Sequence, residues 1–332
     1  MAPHFTEAEL LAAVTGLLAR HGVEPVSAGA VAQSIVAAER DGAFSHGLAR
    51  LPAYLSTLKS GWLAPATAMV VEDAAPAVLR VDARNGFAQG ALARAGDHAI
   101  SKARSQGLCS IAIHDSHHFG CLWPDVEPFA REGLLCLAFV HSRSRLVAPG
   151  AKQRVLGTNP MAFACPRPGG EPLVWDQASS VMAHGDVLLA ARDGHPLPEG
   201  VGVDREGRAT HVAAEIVDGG ALLPFAGHKG FLIALMVEIM AGALTGSRFG
   251  FEDGSGAFPG AQTSNAGQTL LLIDPQRSAG ADFGARVETL LAVLQAAGTE
   301  RLPADRRYRN RRLAAERGIP VNADTMALLQ RG

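Results

Sequence analysis

Apolar positions recur every three to four residues through the first sixty positions of the chain. Leu10, Leu11, Val14, Leu17 and Leu18 share one helical face, Thr6 and Glu9 form a capping box ahead of them, and His21-Gly22 supplies a stop. This spacing predicts a helix over 6–21. A second helix is predicted from Ser27 to Arg40, ending at Gly42, and a third carries Leu48, Leu51, Leu55 and Leu58 to the break at Ser60-Gly61. From about residue 78 the pattern changes. A helix is predicted over 88–106, followed by β-type runs at 109–113, 134–140, 161–165, 173–175 and 269–273. Gly/Pro-rich loops at 167–172, 193–207 and 250–260 separate them, and loops of that length often carry function. Helical character returns at 282–297 and after Pro303, so the expected class is α/β, with a mixed central part at 79–279 between helical ends at 1–78 and 280–332.

The longest apolar run, 231–244, is interrupted by Glu238 and falls short of the roughly 20 residues needed to cross a bilayer, so it reads as a buried helix. The chain has 332 residues, 48% hydrophobic and 19% charged, enough for one large or two medium cores. Its formal net charge of −2 provides no chain-wide positive field for nucleic acid or an anionic membrane. The amino terminus, MAPHFTEAELL, lacks a basic segment followed by an apolar one, which predicts a cytoplasmic protein. Cys109, Cys121, Cys136 and Cys165 show no CxxC spacing, in keeping with a reducing compartment and small core residues.

Four segments concentrate chemistry. The stretch 41–54 brings Ser45, His46 and Arg50 within six residues; Ser45 reads as an N-cap, and a helix over 46–50 would turn His46 and Arg50 the same way. His114, Asp115, His117 and His118 follow a strand, but neighbours on an extended chain point to opposite faces and no HExxH pattern is present, so a metal is not expected. Gly157-Thr158-Asn159-Pro160 reads as a turn whose hydroxyl and amide suit a carboxylate. His228 and Lys229 precede the apolar helix, where anions are favoured. The dinucleotide fingerprint GxGxxG is absent: Gly254, Gly256 and Gly260 have the wrong spacing and no preceding strand. The basic run Arg306, Arg307, Arg309, Arg311 and Arg312 lacks aromatic stacking partners for nucleic acid, but Arg306 and Arg307 suit the 2′-phosphate that distinguishes NADPH from NADH.

Five motifs in order, Ser45-His46-Gly47-x-x-Arg50-Leu51-Pro52-x-Tyr54, His118-Phe119-Gly120, Gly157-Thr158-Asn159-Pro160, Leu223-Pro224-x-x-Gly227-His228-Lys229-Gly230 and Arg301-Leu302-Pro303-x-Asp305-Arg306-Arg307, resemble the malate/L-lactate dehydrogenase-2 family over nearly the whole chain. The run from His118 through Trp123, Pro124 and Asp125 to Phe129 looks like its branch of Δ1-piperideine-2-carboxylate and Δ1-pyrroline-2-carboxylate reductases. The resemblance implies a non-Rossmann NADPH-binding central domain, chain ends packed as one helical unit, and a homodimer with the site near the subunit boundary. Carried onto this sequence, Ser45, His46 and Asp186 form a relay with His46 as proton donor, and Arg50 and Thr158 hold the substrate carboxylate. The cofactor meets His118, Phe119, Gly120, Cys121 and Leu122; Asp176, Gln177 and Ala178; His184 and Gly185; His228 and Lys229; and Arg301, Leu302, Pro303, Ala304, Asp305, Arg306 and Arg307.

Two departures stand out: His141-Ser142-Arg143-Ser144 where relatives commonly show Asn-Ser, and Asp176-Gln177-Ala178-Ser179-Ser180 in place of Asp-x-Ala-Thr-Ser. The implied chemistry is hydride addition to C2 of a cyclic imine with proton delivery to its nitrogen. Its alternatives are a 2-oxo-acid reductase of malate or lactate type and, from another class, a metal hydrolase built on His114, His117 and His118.

Overall fold

The computed structural model describes residues 3–331. Helix α1 (Glu7–Arg20) starts on the predicted capping box, with Thr6 accepting from the Glu9 amide and Glu9 accepting from the Thr6 amide. Helix α2 (Pro25–Arg40) begins two residues before Ser27, because the Glu24 carboxylate caps the Val26 and Ser27 amides and Pro25 is preset for a first turn. Helix α3 (Leu51–Ser60) closes at Gly61, whose φ of 76° suits a left-handed cap.

Seven strands form the main sheet: β1 (Val70–Ala75), β2 (Val78–Phe87), β3 (Leu108–His117), β4 (Leu135–Val140), β5 (Met161–Cys165), β6 (Leu173–Gln177) and β7 (Ala266–Ile273). Their spatial order is β1-β2-β3-β7-β4-β5-β6. Only β2 and β3 run parallel, joined by the crossover helix α4 (Ala88–Gln106), and every other pairing is antiparallel. Buried Ala91, Ala95, Ala99 and Ala103 let α4 lie close on Leu79, Val81, Ile111 and Ile113, while helix α5 (Trp123–Arg131) adds Val126 and Phe129 to the same core. Burying such a sheet face contributes on the order of 25 cal/mol per Å² of apolar surface.

The chain ends share a second core. Leu10, Val14, Leu17 and Ile35 cluster with Ile319, Val321 and Leu329, and His4–Phe5 pairs with Ile319–Pro320. A small five-stranded sheet forms a third lobe, in which Leu146, Leu156, Val201 and Leu222 pack against Val187 of helix α6 (His184–Asp193). Helix α7 (His228–Glu238), extended by a π-helical turn at Ile239–Ala243, corrects one expectation: it is not buried all round. Ala234 and Val237 face inward, whereas Leu232, Leu235, Ile239 and Leu244 lie 38–56% exposed. No helix among the described residues is long and apolar enough to cross a membrane.

Candidate active site

After α2 the chain does not enter the next helix directly. It makes two 3₁₀ turns, Phe44–His46 and Leu48–Arg50, broken at Gly47. Glu39 causes the break: its carboxylate accepts from the Leu48 amide at 2.9 Å, and a Cβ at position 47 would stand 2.3 Å from its Oε2 and 3.0 Å from its backbone. Ser45 is therefore not an N-cap, which corrects the sequence reading. Its hydroxyl pairs instead with Nδ1 of His46 at 3.1 Å. Arg50 is turned back by a bond from its Nε to the Ser45 carbonyl at 2.9 Å, which leaves both terminal nitrogens of the guanidinium available.

Helix α6 meets these turns at its first residues. A Cβ on Gly185 would lie 3.2 Å from Nη2 of Arg50 and 3.3 Å from Cβ of Ser45, so a glycine permits the close approach. Asp186 follows in the first turn. Burial is the main reason the His46 imidazole is pushed down to about 4; Arg50 pushes the same way, and Asp186 opposes it by attracting the charged form.

Opposite lies the turn at 157–160. Asn159, buried at a φ of 40°, accepts from the Ser142 amide and donates to the Ala234 carbonyl at 2.8 Å and to Glu238 Oε2 at 2.7 Å. The Thr158 amide donates to Ser142 Oγ at 3.2 Å. Glu238, whose carboxyl burial pushes up, also accepts from the Gly250 amide and so ties this turn to a distant loop.

The loop 118–122 forms another wall. Phe119 stacks on Tyr54 with ring centroids 4.2 Å apart, and His118 Nε2 pairs with Asp125 Oδ2 at 2.9 Å. Asp176 accepts from the Leu122 and Trp123 amides and lies 3.8 Å from Arg307. Arg307 in turn donates to the Val174 carbonyl and lies over the Trp123 ring, whereas Arg306 has no hydrogen-bond or ion-pair partner among the described residues.

These elements enclose one cavity of about 710 Å³. It gathers Ser45, His46, Arg50, Thr158, His118 to Leu122, Asp176 to Ala178, His184, Gly185, Asp186, Arg306 and Arg307. His228, Lys229 and residues 301–305 are not among its lining: Leu302 is buried, and Asp305 caps the Leu302 amide at the start of helix α8 (Asp305–Arg317). His117 is committed to Asn85 at 2.8 Å, and no group of three or more His, Cys, Asp or Glu able to hold a metal occurs among the described residues. Sequence reasoning missed Arg145 and Gln262 to Ser264 as lining residues. No local pattern marks them, since their neighbours in the cavity come from chain segments far away in sequence.

The malate/L-lactate dehydrogenase family model matches residues 5–330. The chain is 51% identical over 310 residues to the Δ1-pyrroline-2-carboxylate/Δ1-piperideine-2-carboxylate reductase of Pseudomonas syringae pv. tomato, covering 93% of this chain and 90% of that one. It is 42% identical to the (2R)-3-sulfolactate dehydrogenase (NADP(+)) of Chromohalobacter salexigens, over 94% and 91% of the two. The crystal structure of the Δ1-piperideine-2-carboxylate reductase from Pseudomonas syringae pv. tomato superposes with a TM-score of 0.97 at 48% identity, covering 99% of each chain. With the family model spanning the chain almost end to end and the fold coinciding, this protein belongs to the malate/L-lactate dehydrogenase family.

Proposed function

We propose that this chain is an NADPH-dependent reductase of cyclic imines, converting Δ1-pyrroline-2-carboxylate and Δ1-piperideine-2-carboxylate to L-proline and L-pipecolate. The observation that carries the reading is the convergence of Ser45, His46, Arg50, Thr158 and Asp186 on one cavity, in a chain 51% identical to a reductase of both imines. A nicotinamide held in this cavity would supply the hydride equivalent for C2. Arg50 and Thr158 hold the carboxylate and thereby fix which face of the ring is presented. His46 has Nδ1 engaged by Ser45, so Nε2 is the nitrogen that delivers a proton to the ring nitrogen; the imidazole leaves the step neutral, and Asp186 stabilises its charged form beforehand. Initial rates of purified protein with both imines, pyruvate and oxaloacetate test the assignment, with imine turnover expected to dominate. Higher kcat/KM for a 2-oxo acid would reverse it.

The cofactor reading rests on the donor set. We infer a non-Rossmann binding mode, supported by an almost wholly antiparallel sheet and the missing GxGxxG fingerprint. The central part, which takes in β1 and β2 from Val70 onward and so starts before the expected residue 79, and the helical chain ends would be its two walls. Arg306, without a partner at one end of the cavity, suits a 2′-phosphate, while Arg307 is already held by Val174 and Asp176. Arg306→Ala is expected to raise the KM for NADPH about 10-fold or more and leave that for NADH nearly unchanged, the scale of a lost charge-assisted contact. Equal effects on the two cofactors, read from parallel saturation curves, would remove the assignment.

A homodimer completes the proposal. Leu232 and Leu235 on α7 and Ile239 in its π-helical turn form one apolar stripe, continued by Leu244, that the described residues leave 38–56% exposed. We assign a second copy to it. Multi-angle light scattering is expected to give twice the chain mass for the native protein and a shift toward monomer for Leu235→Asp combined with Ile239→Asp. A native monomer with full activity would contradict this.

A further inference from the structure

Arg145 is a charged group in the cavity wall that the reaction described above does not use. It lies where the chain leaves β4 and passes into the small sheet, lines the cavity, and is half-buried. Its Nη1 donates to Nε2 of His184 at 2.5 Å, and no carboxylate among the described residues stands within 4 Å of it. His184 is a neutral prop. Burial first, and the nearby guanidiniums second, push its imidazole down to about 2, so it can only accept from Arg145 and cannot balance its charge.

The surroundings are cationic. Burial pulls Arg145 down to about 9, and Arg143, Arg154 and Arg50 pull in the same direction. Arg143 is matched by Asp253 at 3.1 Å and by Ser255 Oγ at 2.7 Å. Asp186 attends His46. One substrate carboxylate satisfies Arg50, after which Arg145 still holds a half-buried charge with most of its donors unused. Leaving a guanidinium in that condition is costly unless an anion enters. The arginines suited to the cofactor sit elsewhere, on the wall that carries Asp176 and Trp123. Arg145 instead belongs to the segment that carries Ser142 against the Thr158 amide, and Arg50 acts on both Arg145 and His184, which moves His184 from the expected cofactor set to the substrate side.

We propose that Arg145, braced by His184, is a second anion subsite, which takes an acidic group on the substrate additional to the carboxylate held by Arg50. The pocket would then accept five- and six-membered ring acids bearing a second carboxylate. The inference rests on the reading of Arg50 as the first carboxylate site, and the test separates the two.

Inhibition constants against the imine are measured for pyridine-2-carboxylate and for the 2,3-, 2,4-, 2,5- and 2,6-dicarboxylates, with the native enzyme and with Arg145→Gln, Arg145→Lys and Arg50→Ala. NADPH affinity is followed in parallel by fluorescence. At least one dicarboxylate is expected to bind about 10-fold or more tightly than the monocarboxylate, the gain from one charge-assisted pair. Arg145→Gln should abolish that advantage, Arg145→Lys should keep part of it, and monocarboxylate and NADPH affinities should stay within about twofold, since neither touches Arg145 in this assignment. Three results would overturn it: no dicarboxylate advantage in the native enzyme, the same advantage in Arg145→Gln, or weakened NADPH binding as the main effect, which would give Arg145 to a cofactor phosphate. Failure of Arg50→Ala to weaken the monocarboxylate would instead reject the underlying site reading. Should Arg145→Gln misfold, the native comparison and Arg145→Lys still decide.

Discussion

His46→Ala is expected to lower kcat for imine reduction by roughly 100-fold or more, the usual scale for a positioned general acid, with NADPH affinity preserved. The imidazole is held by Ser45 at Nδ1 and sits beside Arg50 and Asp186, so its loss removes proton delivery and leaves the loop 118–122 and Arg306 in place. Its titration gives a second readout. In the free protein the group titrates near 4, chiefly through burial and then through Arg50. A proton donor must be charged to act, so kcat/KM, which reports the free enzyme, should fall as pH rises above about 4. A carboxylate bound on Arg50 cancels part of the repulsion and raises the pKa, so kcat, which reports the complex, should hold to a higher pH before it falls. A kcat/KM that does not fall as pH rises, or a kcat that drops on acidification, would exclude His46 as the donor.

Arg50→Ala is expected to act mainly on substrate binding, raising KM for the imine about 10- to 100-fold, the worth of one or two charge-assisted hydrogen bonds, with a further fall in kcat where the ring is no longer oriented. Arg50→Lys should rescue little. An ammonium cannot donate to the Ser45 carbonyl and at the same time present two parallel donors to a carboxylate, as the guanidinium does here through Nε and its terminal nitrogens. Michaelis constants for the native protein and both variants, at saturating NADPH, check this. An unchanged KM in Arg50→Ala would give the carboxylate to another residue.

Elements with strong periodicity were legible in the sequence. The predicted helix at 88–106 coincides with Ala88–Gln106, because its alanine stripe has one period and Gly107 ends it. The strands Val70–Ala75 and Val78–Phe87 were not legible. The first is an edge strand with almost no buried side chain, and the second is kinked where Arg84 and Asn85 adopt positive φ, which interrupts the alternation. The break at Gly47 escaped for a different reason: Glu39, nine residues earlier, takes the Leu48 amide, a tertiary contact that no local helix rule contains. Helix 231–244 looked buried because an apolar helix has the same pattern whether its own chain or a second copy covers it.

Within the site, His46, Arg50 and Thr158 were named because they lie in motif-like runs, and all line the cavity. Arg145 was not, and Glu238, which ties the Thr158 turn in place from outside the cavity, was read only as a break in an apolar run. Arg145 draws its meaning from His184 and Glu238 from Asn159, and these pairings arise only when the lobes assemble. Residues 301–305 show the converse: a motif identified them, but Leu302 and Asp305 serve the start of α8, and the cavity receives Arg306 and Arg307 from that helix's first turn.

The central claim, hydride addition to C2 of a cyclic imine with separate protonation of nitrogen, has a direct isotopic test. Purified protein is incubated with Δ1-pyrroline-2-carboxylate and NADPH deuterated at the transferred position of C4, and the proline formed is analysed by mass spectrometry and NMR. The account predicts L-proline carrying one deuterium at C2. Proline without deuterium at C2, or no proline while a 2-oxo acid is reduced under the same conditions, would contradict it.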